Sequence, residues 1–364
     1  MKTSAWWGRL PLVVIIALGL SAMAFALAAC GGSAADDAGA ATDTIVGAGA
    51  SFPYPLYSKW GQEHNAAGGV KLNYQSIGSG GGISAIEAKT VDFGASDAPL
   101  EQADLEENGL VQFPLCVGGV VPVVNLEGVG DGELKLTAEL LARVFNGDIT
   151  MWDDKAIAAV NARLTLPATK ISVVHRSDSS GTTWIFTNYL TAAAGDVWKA
   201  GAAKEIPWPT GVGGKGNEGV AASVQQLNGA IGYVEYAYAK QAQMTTVQME
   251  NRDGAFVKPT LGSFASAAAE ADWGATLPSM YLVLVDQPGK ATWPIAGASF
   301  ILVQKDHADA GRAKAMLEFF DWCYRSGGPT AESLDYVPIP ASVYEVVETD
   351  VWTTITASGA AVWK

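Results

Sequence analysis

Four turns rich in glycine and small residues lead directly into predicted helices, and they constrain the fold more than any other feature of the sequence. They span residues 47–53, 77–82, 176–182 and 211–219. Glycine lets a backbone approach a ligand closely, and the unpaired N–H groups and the dipole at a helix start favour an anion. One such turn indicates little, because Ser and Gly are also common helix caps. Four favour an anion-binding site, although the fourth has few hydroxyl groups and is expected to serve packing or domain geometry.

Short apolar runs alternate with amphipathic stretches from residue 44 onward, which predicts an α/β architecture. The length of 364 residues and the hydrophobic share of 49% suffice for ordinary cores, and such a length suggests about two domains. The apolar runs predict strands at 44–46, 72–75, 117–124, 171–174, 230–234 and 299–303. The amphipathic stretches predict helices at 54–63, 82–89, 138–145, 153–160, 182–190, 218–226 and 311–324.

The N-terminus has the pattern of an export signal. Positive residues flank an apolar run at 10–27, as in secretory signal peptides. The Leu-Ala-Ala-Cys sequence at its end resembles a bacterial lipobox, in which Cys30 becomes the lipidated first residue of the mature chain. Residues 31–44 have no apolar periodicity and are expected to form a flexible tether. A retained membrane-spanning helix is the alternative, for which the apolar run is only marginally long enough.

The charge of the chain argues against a nucleic-acid partner. Removal of residues 1–29 takes away Lys2 and Arg9 but no acidic residue, so the formal net charge goes from −14 to −16. Nucleic acids favour clustered Lys and Arg, which this chain does not supply. Residues 211–216 resemble a Gly-x-Gly-x-x-Gly motif, but no apolar strand leads into them, so nucleotide binding is also disfavoured.

The sequence contains no pattern of a metal or cofactor site. Cys116 and Cys323 lie in apolar runs, where buried free thiols are common, and no cysteine spacing resembles a metal site. His64, His175 and His307 fall in no zinc-binding His-Glu-x-x-His pattern. Export would permit a disulfide between the two cysteines, but their apolar surroundings favour free thiols. We expect no metal and no cofactor.

Catalytic residues are not apparent either. Ser180 stands in Ser-Ser-Gly-Thr rather than in a Gly-x-Ser-x-Gly nucleophile elbow. His175 is the best candidate for a general base because it adjoins Arg176. Adjacent residues of an extended segment point to opposite faces, so an Arg176 that faces a ligand would turn His175 away. The sequence therefore favours a binding protein over an enzyme.

A set of donors could bind an anion. Arg176 offers a planar fork to two oxygens, and hydroxyl groups are available in the turns. The hydroxyl candidates are Ser51, Ser79, Ser180 and Thr182. Asp97 lies between small residues just before a proline, a position typical of a rigid turn. A carboxylate repels an anion unless the ligand brings a proton to donate. The alternatives are a surface ion pair for Arg176, helix caps for the hydroxyls and a turn for Asp97.

Seven segments, in this order, resemble the periplasmic-type phosphate-binding proteins of bacterial phosphate ABC importers. They are residues 47–53, 77–79, 92–99, 176–182, 213–217, 229–235 and 319–322. The resemblance extends from about residue 45 to about residue 343. It implies a dehydrated inorganic phosphate held between two lobes.

The resemblance also implies a role for each matching residue. Ser51 and Phe52 would donate a hydroxyl and a backbone amide, and Ser79 would donate at its helix start. Asp97 would accept the proton of mono- or dibasic phosphate. Arg176 would form the charge-assisted pair and Asp178 would orient it. The donors of the second lobe would be Ser180, Gly181 and Thr182.

The predicted fold class is thus α/β, a two-lobed periplasmic binding protein of type II-like form with two crossover hinge strands and the ligand in the interlobe cleft. Lobe 1 is expected to comprise residues 45–124 plus 293–364, and lobe 2 residues 125–292. The partners implied are inorganic phosphate, the membrane permease subunits of an ABC importer and the membrane itself through the lipid anchor. A secreted phosphate-ester hydrolase and a binder of another protonated oxyanion such as arsenate are the alternatives.

Overall fold

The computed structural model describes residues 44–269 and 271–364. The predicted export signal, Cys30 and the tether up to residue 43 lie outside the described residues. Among the helices described, none combines the length and the hydrophobicity needed to cross a membrane.

Strands and helices alternate through the first half of the chain. In order they are β1 Thr44–Gly49, α1 Tyr54–Ala66, β2 Lys71–Ser76, α2 Ser79–Glu87, β3 Phe93–Ser96, α3 Gln102–Asn108, β4 Leu110–Asn125, β5 Lys135–Leu136, α4 Ala138–Asn146, α5 Lys155–Val160, β6 Ser172–Arg176 and α6 Gly181–Ala194.

The second half continues the alternation with shorter strands. It contains β7 Val212–Gly214, α7 Gly216–Gln226, β8 Ala230–Glu235, α8 Tyr236–Gln241, β9 Thr245–Thr246, β10 Gln248–Glu250, β11 Phe256–Val257, α9 Leu261–Ala269, β12 Ala296–Gln304, β13 Asp306–His307, α10 Ala310–Ser326, α11 Gly328–Ser333, β14 Val337–Pro338, α12 Ala341–Val346, β15 Thr356–Ala357 and β16 Ala360–Ala361. Every strand and helix predicted from the sequence is present, with ends that differ by a few residues at most positions.

The main sheet has two halves that share one long strand. Its order is β2-β1-β3-β12-β4-β8-β6-β7. The first part of β4 pairs with β12, and the part from Val120 to Asn125 pairs with β8, both antiparallel. Parallel pairs β1–β2 and β1–β3 lie on one side, and β6–β7 and β6–β8 on the other. The carboxyl ends of parallel strands are where ligands bind in open α/β sheets.

Strand β4 begins at Leu110, well before the predicted start at residue 117. Pro114 lacks an N–H and ordinarily argues against a central strand. The structure accommodates it beside a β-bulge, since Cys116 pairs with Ser299 but Pro114 pairs with Phe300, so that Leu115 is extra. A bulge of this kind inserts one residue into one strand of a pair.

Buried apolar residues of both halves form one large core. Cys116 and Cys323 are buried as free thiols in it, as the surrounding apolar sequence predicts. Helix α10 corresponds to the helix predicted at 311–324, and it packs into the core through buried residues that include Ala313, Met316, Leu317 and Phe320. Trp293 is fully buried, and its Nε1–H donates to the carbonyl of Val120 at 3.0 Å, where β4 changes partner.

Helix α2 lies unusually close to the sheet at Gly82. A Cβ at this position would lie 2.5 Å from Cα of Gly49 and 2.7 Å from the carbonyl oxygens of Ala48 and Ala95. These neighbours are backbone atoms of β1 and β3, which cannot move aside as a side chain can. The helix therefore keeps its glycine although glycine is a poor helix former.

We expect Gly82→Ala to lower the free energy of unfolding by about 2–3 kcal/mol, because overpacking against backbone costs this much. Gly81→Ala is the matched control in the same helix, since the nearest atoms to its Cβ would be side-chain atoms of Ile77, 3.0 Å away. Urea unfolding followed by circular dichroism measures both. Equal stabilities of the two variants would contradict the close approach.

Candidate anion-binding site

The turns singled out in the sequence meet at the carboxyl ends of the parallel strands. Ser51 follows β1, Asp97 follows β3 and Arg176 ends β6, while Ser79 opens α2 and Gly181 opens α6. All the polar members of this set are buried. The structure thus brings together side chains that lie far apart in the sequence.

Ser79 connects two of these turns. Its Oγ accepts hydrogen bonds from the backbone N–H of Asp97 at 3.2 Å and of Gly181 at 3.0 Å. The N–H of Gly80 also donates to the carbonyl of Ser179 at 3.0 Å. Gly181 must be glycine here, since a Cβ would lie 2.4 Å from the Ser79 Oγ and 2.6 Å from the Asp97 Cβ.

Arg176 is held in place by three hydrogen bonds and is buried to the extent that 1% of its side chain is exposed. Its Nε and Nη2 donate to Asp178 at 2.8 and 2.5 Å, and its Nη1 donates to Oγ1 of Thr182 at 3.1 Å. Asp178 also accepts from the N–H of Gly216 at 3.1 Å. Burial opposes ionisation of Asp178, but its hydrogen bonds and the positive charge of Arg176 hold its pKa below the ordinary value. The guanidinium orientation is therefore fixed by a bidentate pair.

Asp97 has one satisfied and one unsatisfied carboxylate oxygen. Its Oδ1 accepts from the hydroxyl of Ser299 at 2.8 Å. Its Oδ2 is buried and has no hydrogen-bond partner among the described residues. Burial raises the pKa of Asp97 to about 7, although the Ser299 hydroxyl and the charge of Arg176 act in the opposite direction. An unpaired buried acceptor is costly, so this oxygen suits a ligand that carries its own O–H.

The other candidate hydroxyls already accept hydrogen bonds from the protein. Ser51 Oγ accepts from the Asn217 side chain at 2.8 Å and from the Asn217 backbone at 3.2 Å. Ser180 caps α6, where its Oγ accepts from the N–H of Thr183 at 3.1 Å. Each hydroxyl keeps its single proton, which it can donate to an anion.

Several backbone N–H groups at the site have no protein acceptor among the described residues. They include those of Phe52, Ser79 and Thr182. The last two stand at the N-termini of α2 and α6, where unpaired amides and the helix dipole favour an anion. Arg176 is the only buried Lys or Arg in the described part of the chain. The site is therefore an anion site made chiefly of neutral donors.

Four residues at the site were not singled out from the sequence. Ser299 holds Asp97, and Asn217 bonds both Ser51 and Thr182. Tyr238 and Tyr336 donate to the carbonyls of Ser51 at 2.6 Å and Phe52 at 2.7 Å. Asn217 lies in the fourth glycine-rich turn, so its position beside Gly216 was an available signal. Ser299 lies in an apolar strand that carried none.

The side chain of His175 packs against neighbouring protein groups. Its Nδ1 lies 3.0 Å from the carbonyl oxygen of Arg176, and its ring stacks on Trp208 with centroids 5.1 Å apart. Burial lowers the pKa of His175. This is the placement that alternation along β6 predicts for the neighbour of Arg176. No cluster of His, Cys, Asp or Glu suited to a metal occurs within residues 44–269 or 271–364.

The raised pKa of Asp97 predicts a pH-dependent stability. The pKa of Asp97 is about 7 in the folded protein, compared with an ordinary value of 3.8. The stabilisation of the fold by protonated Asp97 is therefore complete when the pH is below 3.8. It is lost as the pH rises through the folded-state value. Asp97→Asn should therefore gain stability relative to the parent over this interval, by at most about 4 kcal/mol.

Urea unfolding across this pH interval in phosphate-free buffer measures the difference. Asp104→Asn, in which an exposed carboxylate is replaced, serves as the control and should track the parent. If the stability of the parent and of Asp97→Asn varied with pH in parallel, burial would not have shifted the pKa of Asp97.

Comparison with known proteins places the chain in a family. The family model described as PBP superfamily domain matches residues 34–326. The phosphate-binding protein PstS of Xylella fastidiosa is 51% identical over 306 residues, which cover 84% of each chain. The protein of the same name from Haemophilus influenzae is 50% identical over 317 residues, which cover 86% of this chain and 94% of the relative.

Solved structures agree on the fold. A phosphate-binding protein from Stenotrophomonas maltophilia superposes with a TM-score of 0.64 at 20% identity and covers 88% of this chain and 98% of its own. A high-affinity periplasmic phosphate-binding protein with bound phosphate superposes with a TM-score of 0.69 at 21% identity and covers 87% and 96%. These likenesses confirm the predicted α/β periplasmic binding protein fold. On its sequence, the chain belongs to the PBP superfamily and, within it, to the family of phosphate-binding proteins.

Proposed function

We propose that this protein binds inorganic phosphate with high affinity outside the cytoplasm and delivers it to an ABC importer. The observation that carries the proposal is the buried, unpaired Oδ2 of Asp97 in a site otherwise made of donors. Phosphate brings the O–H that this oxygen lacks and the acceptor oxygens that the donors require. The 51% identity to a curated phosphate-binding protein supports the same ligand.

The proposed ligand contacts follow from the free donors. The hydroxyls of Ser51, Ser79, Ser180 and Thr182, with the N–H groups of Phe52 and of the two helix starts, would donate to phosphate oxygens. Gly181 would contribute by letting the start of α6 lie close to Ser79 and Asp97. Arg176 would contribute through its charge. Asp97 would accept the proton, and Asp178 would act only by orienting Arg176. The residues are those that the family resemblance implies, but the N–H of Gly181, expected there to donate to the anion, donates to Oγ of Ser79.

We further propose two lobes, residues 45–124 plus 293–364 and residues 125–292, that close on the ligand. The proposal is supported by β4, which changes partner from β12 to β8 near Val120. Hydrogen bonds from Gly181 to Ser79 and from Asn217 to Ser51 would then cross between the lobes. Closure of this kind is a common response of binding proteins to ligand, and the closed form is the one that permease subunits would recognise.

Asp97 should also set selectivity against sulfate. Sulfate has the same tetrahedral shape but carries no proton. At a pH well above the Asp97 pKa of about 7, where Asp97 is ionised and phosphate still carries a proton, a sulfate oxygen would face Oδ2 of Asp97 lone pair to lone pair. A hydrogen bond to a charged group contributes about 1.5–3 kcal/mol, and an unpaired one costs at least as much. The two anions should therefore differ by more than about 100-fold in affinity.

Isothermal titration calorimetry with phosphate and sulfate tests this difference. We expect phosphate to bind and sulfate to give almost no heat, and Asp97→Asn to narrow the gap because an amide can donate to sulfate. Asp104→Asn should leave the gap unchanged, since its side chain is exposed. Equal affinities of the parent for both anions would reject the assignment, and an arsenate titration measures how far the site discriminates within protonated oxyanions.

A hydrolase is not supported. Members of this family are phosphate-binding transport proteins and not enzymes. His175, the candidate base, is engaged with a backbone carbonyl and the ring of Trp208.

We also propose that Cys30 is lipidated and anchors the protein to the bacterial cell membrane. The support is the lipobox-like sequence that ends at Cys30, followed by a segment without apolar periodicity. In a bacterial host supplied with an alkyne-tagged fatty acid, the parent should incorporate the label and Cys30→Ser should not. Cys323→Ser, which changes a buried thiol, is the control that should keep the label. A parent without label would favour a retained membrane span instead.

A further inference from the structure

We propose that Asn217 is a positioning residue that forces the hydroxyls of Ser51 and Thr182 to donate to the anion. The inference rests on the proposed phosphate-binding function and assigns a role to a residue outside the set of proposed ligand contacts. Asn217 is fully buried, with 0% of its surface exposed. It stands at the start of α7, in the fourth glycine-rich turn.

The orientation of the Asn217 amide is fixed by the sheet. Its Oδ1 accepts a hydrogen bond from the backbone N–H of Glu235 at 2.9 Å, at the end of β8. A flipped amide would place an NH₂ group against this N–H, donor against donor. Oε2 of Glu235 accepts in turn from the N–H of Ala237 at 2.9 Å and lies 2.7 Å from the hydroxyl oxygen of Tyr336. The Nδ2 group therefore points away from β8.

The two hydrogens of Nδ2 are directed at two different hydroxyls. Nδ2 lies 2.8 Å from Oγ of Ser51 and 3.2 Å from Oγ1 of Thr182. These residues come from turns that are far apart in sequence, one after β1 and one in the first turn of α6. One amide thus bridges donors from both halves of the site.

Both hydroxyls then have their acceptor capacity filled. Ser51 Oγ also accepts from the backbone N–H of Asn217 at 3.2 Å, and Thr182 Oγ1 also accepts from Nη1 of Arg176 at 3.1 Å. A hydroxyl oxygen has two acceptor positions and one proton. With both positions occupied by N–H donors, each hydroxyl can interact further only as a donor. Asn217 therefore removes the alternative in which these groups rotate to accept.

The expected effect on affinity can be measured by a double-mutant cycle. Asn217→Ala should weaken phosphate binding by about 10- to 100-fold, the range for lost hydrogen bonding to a charged ligand. If Asn217 acts through the hydroxyls, its removal should cost little once they are gone. The losses in Asn217→Ala combined with Ser51→Ala, or with Thr182→Val, should then fall well below the product of the single losses.

Ser79 provides the internal control. Its hydroxyl belongs to the same site but accepts from the N–H groups of Asp97 and Gly181 and makes no hydrogen bond with Asn217. The losses from Asn217→Ala and Ser79→Ala should therefore multiply. Asn251 is a second buried asparagine, bonded to the backbone around Gly289 and Thr292, so Asn251→Ala should lower stability without changing phosphate affinity.

Calorimetric titration of the parent and each variant with inorganic phosphate, with unfolding monitored in parallel, decides the matter. If Asn217→Ala does not fold, Asn217→Leu replaces it in the same cycles, since it fills a similar volume without charge and lacks the Nδ2 donor. Losses that multiply for Ser51 and Thr182 as they do for Ser79 would overturn the inference while leaving the proposed function intact. A parent that binds no phosphate would overturn both.

Discussion

The bidentate pair between Arg176 and Asp178 is the interaction on which the geometry of the site depends. It fixes the guanidinium at the end of β6, and through Asp178 it also holds the N–H of Gly216 at the start of α7. The remaining Arg176 contact reaches Thr182 in the first turn of α6. The N-termini of α6 and α7 are thus both positioned by the Arg176–Asp178 pair. A buried pair gains little net stability because both ions lose their water, but it gives the site a fixed orientation.

The strongly acidic chain and its anion site are compatible because the site uses few full charges. Its donors are hydroxyls and backbone amides, and its one buried cation is already paired with Asp178. Neutral dipoles act over short distances, whereas the field of the exterior is screened over about 8–10 Å at ordinary salt. Net charge therefore excludes a polyanionic partner but does not decide whether a small anion can be bound.

Much of the fold was predictable from the sequence because its signals are local. Neighbouring residues alone are enough to recognise the alternation of apolar runs with helical stretches and the glycine-rich turns at helix starts. Asn217 and Ser299 were not predicted, because their roles arise from partners far away in the sequence, Ser51 and Asp97. The early start of β4 was missed for a related reason. Pro114 is tolerated because the pairing with β12 shifts beside it. The residues around Pro114 do not show which strand pairs with β4 or in which register.

The bulge at Leu115 has a consequence for how the two halves of the sheet are joined. Side chains alternate along a strand, so a shift by one residue exchanges the faces of everything beyond it. Because β4 pairs with β12 before Val120 and with β8 after it, the relative register of the two halves depends on one extra residue. The joint is thus encoded by the number of residues between Pro114 and Cys116 and not by their types. Deletion of one residue there would differ in kind from any substitution. It would exchange the two faces of half of the sheet, so that buried side chains there would become exposed and exposed ones buried.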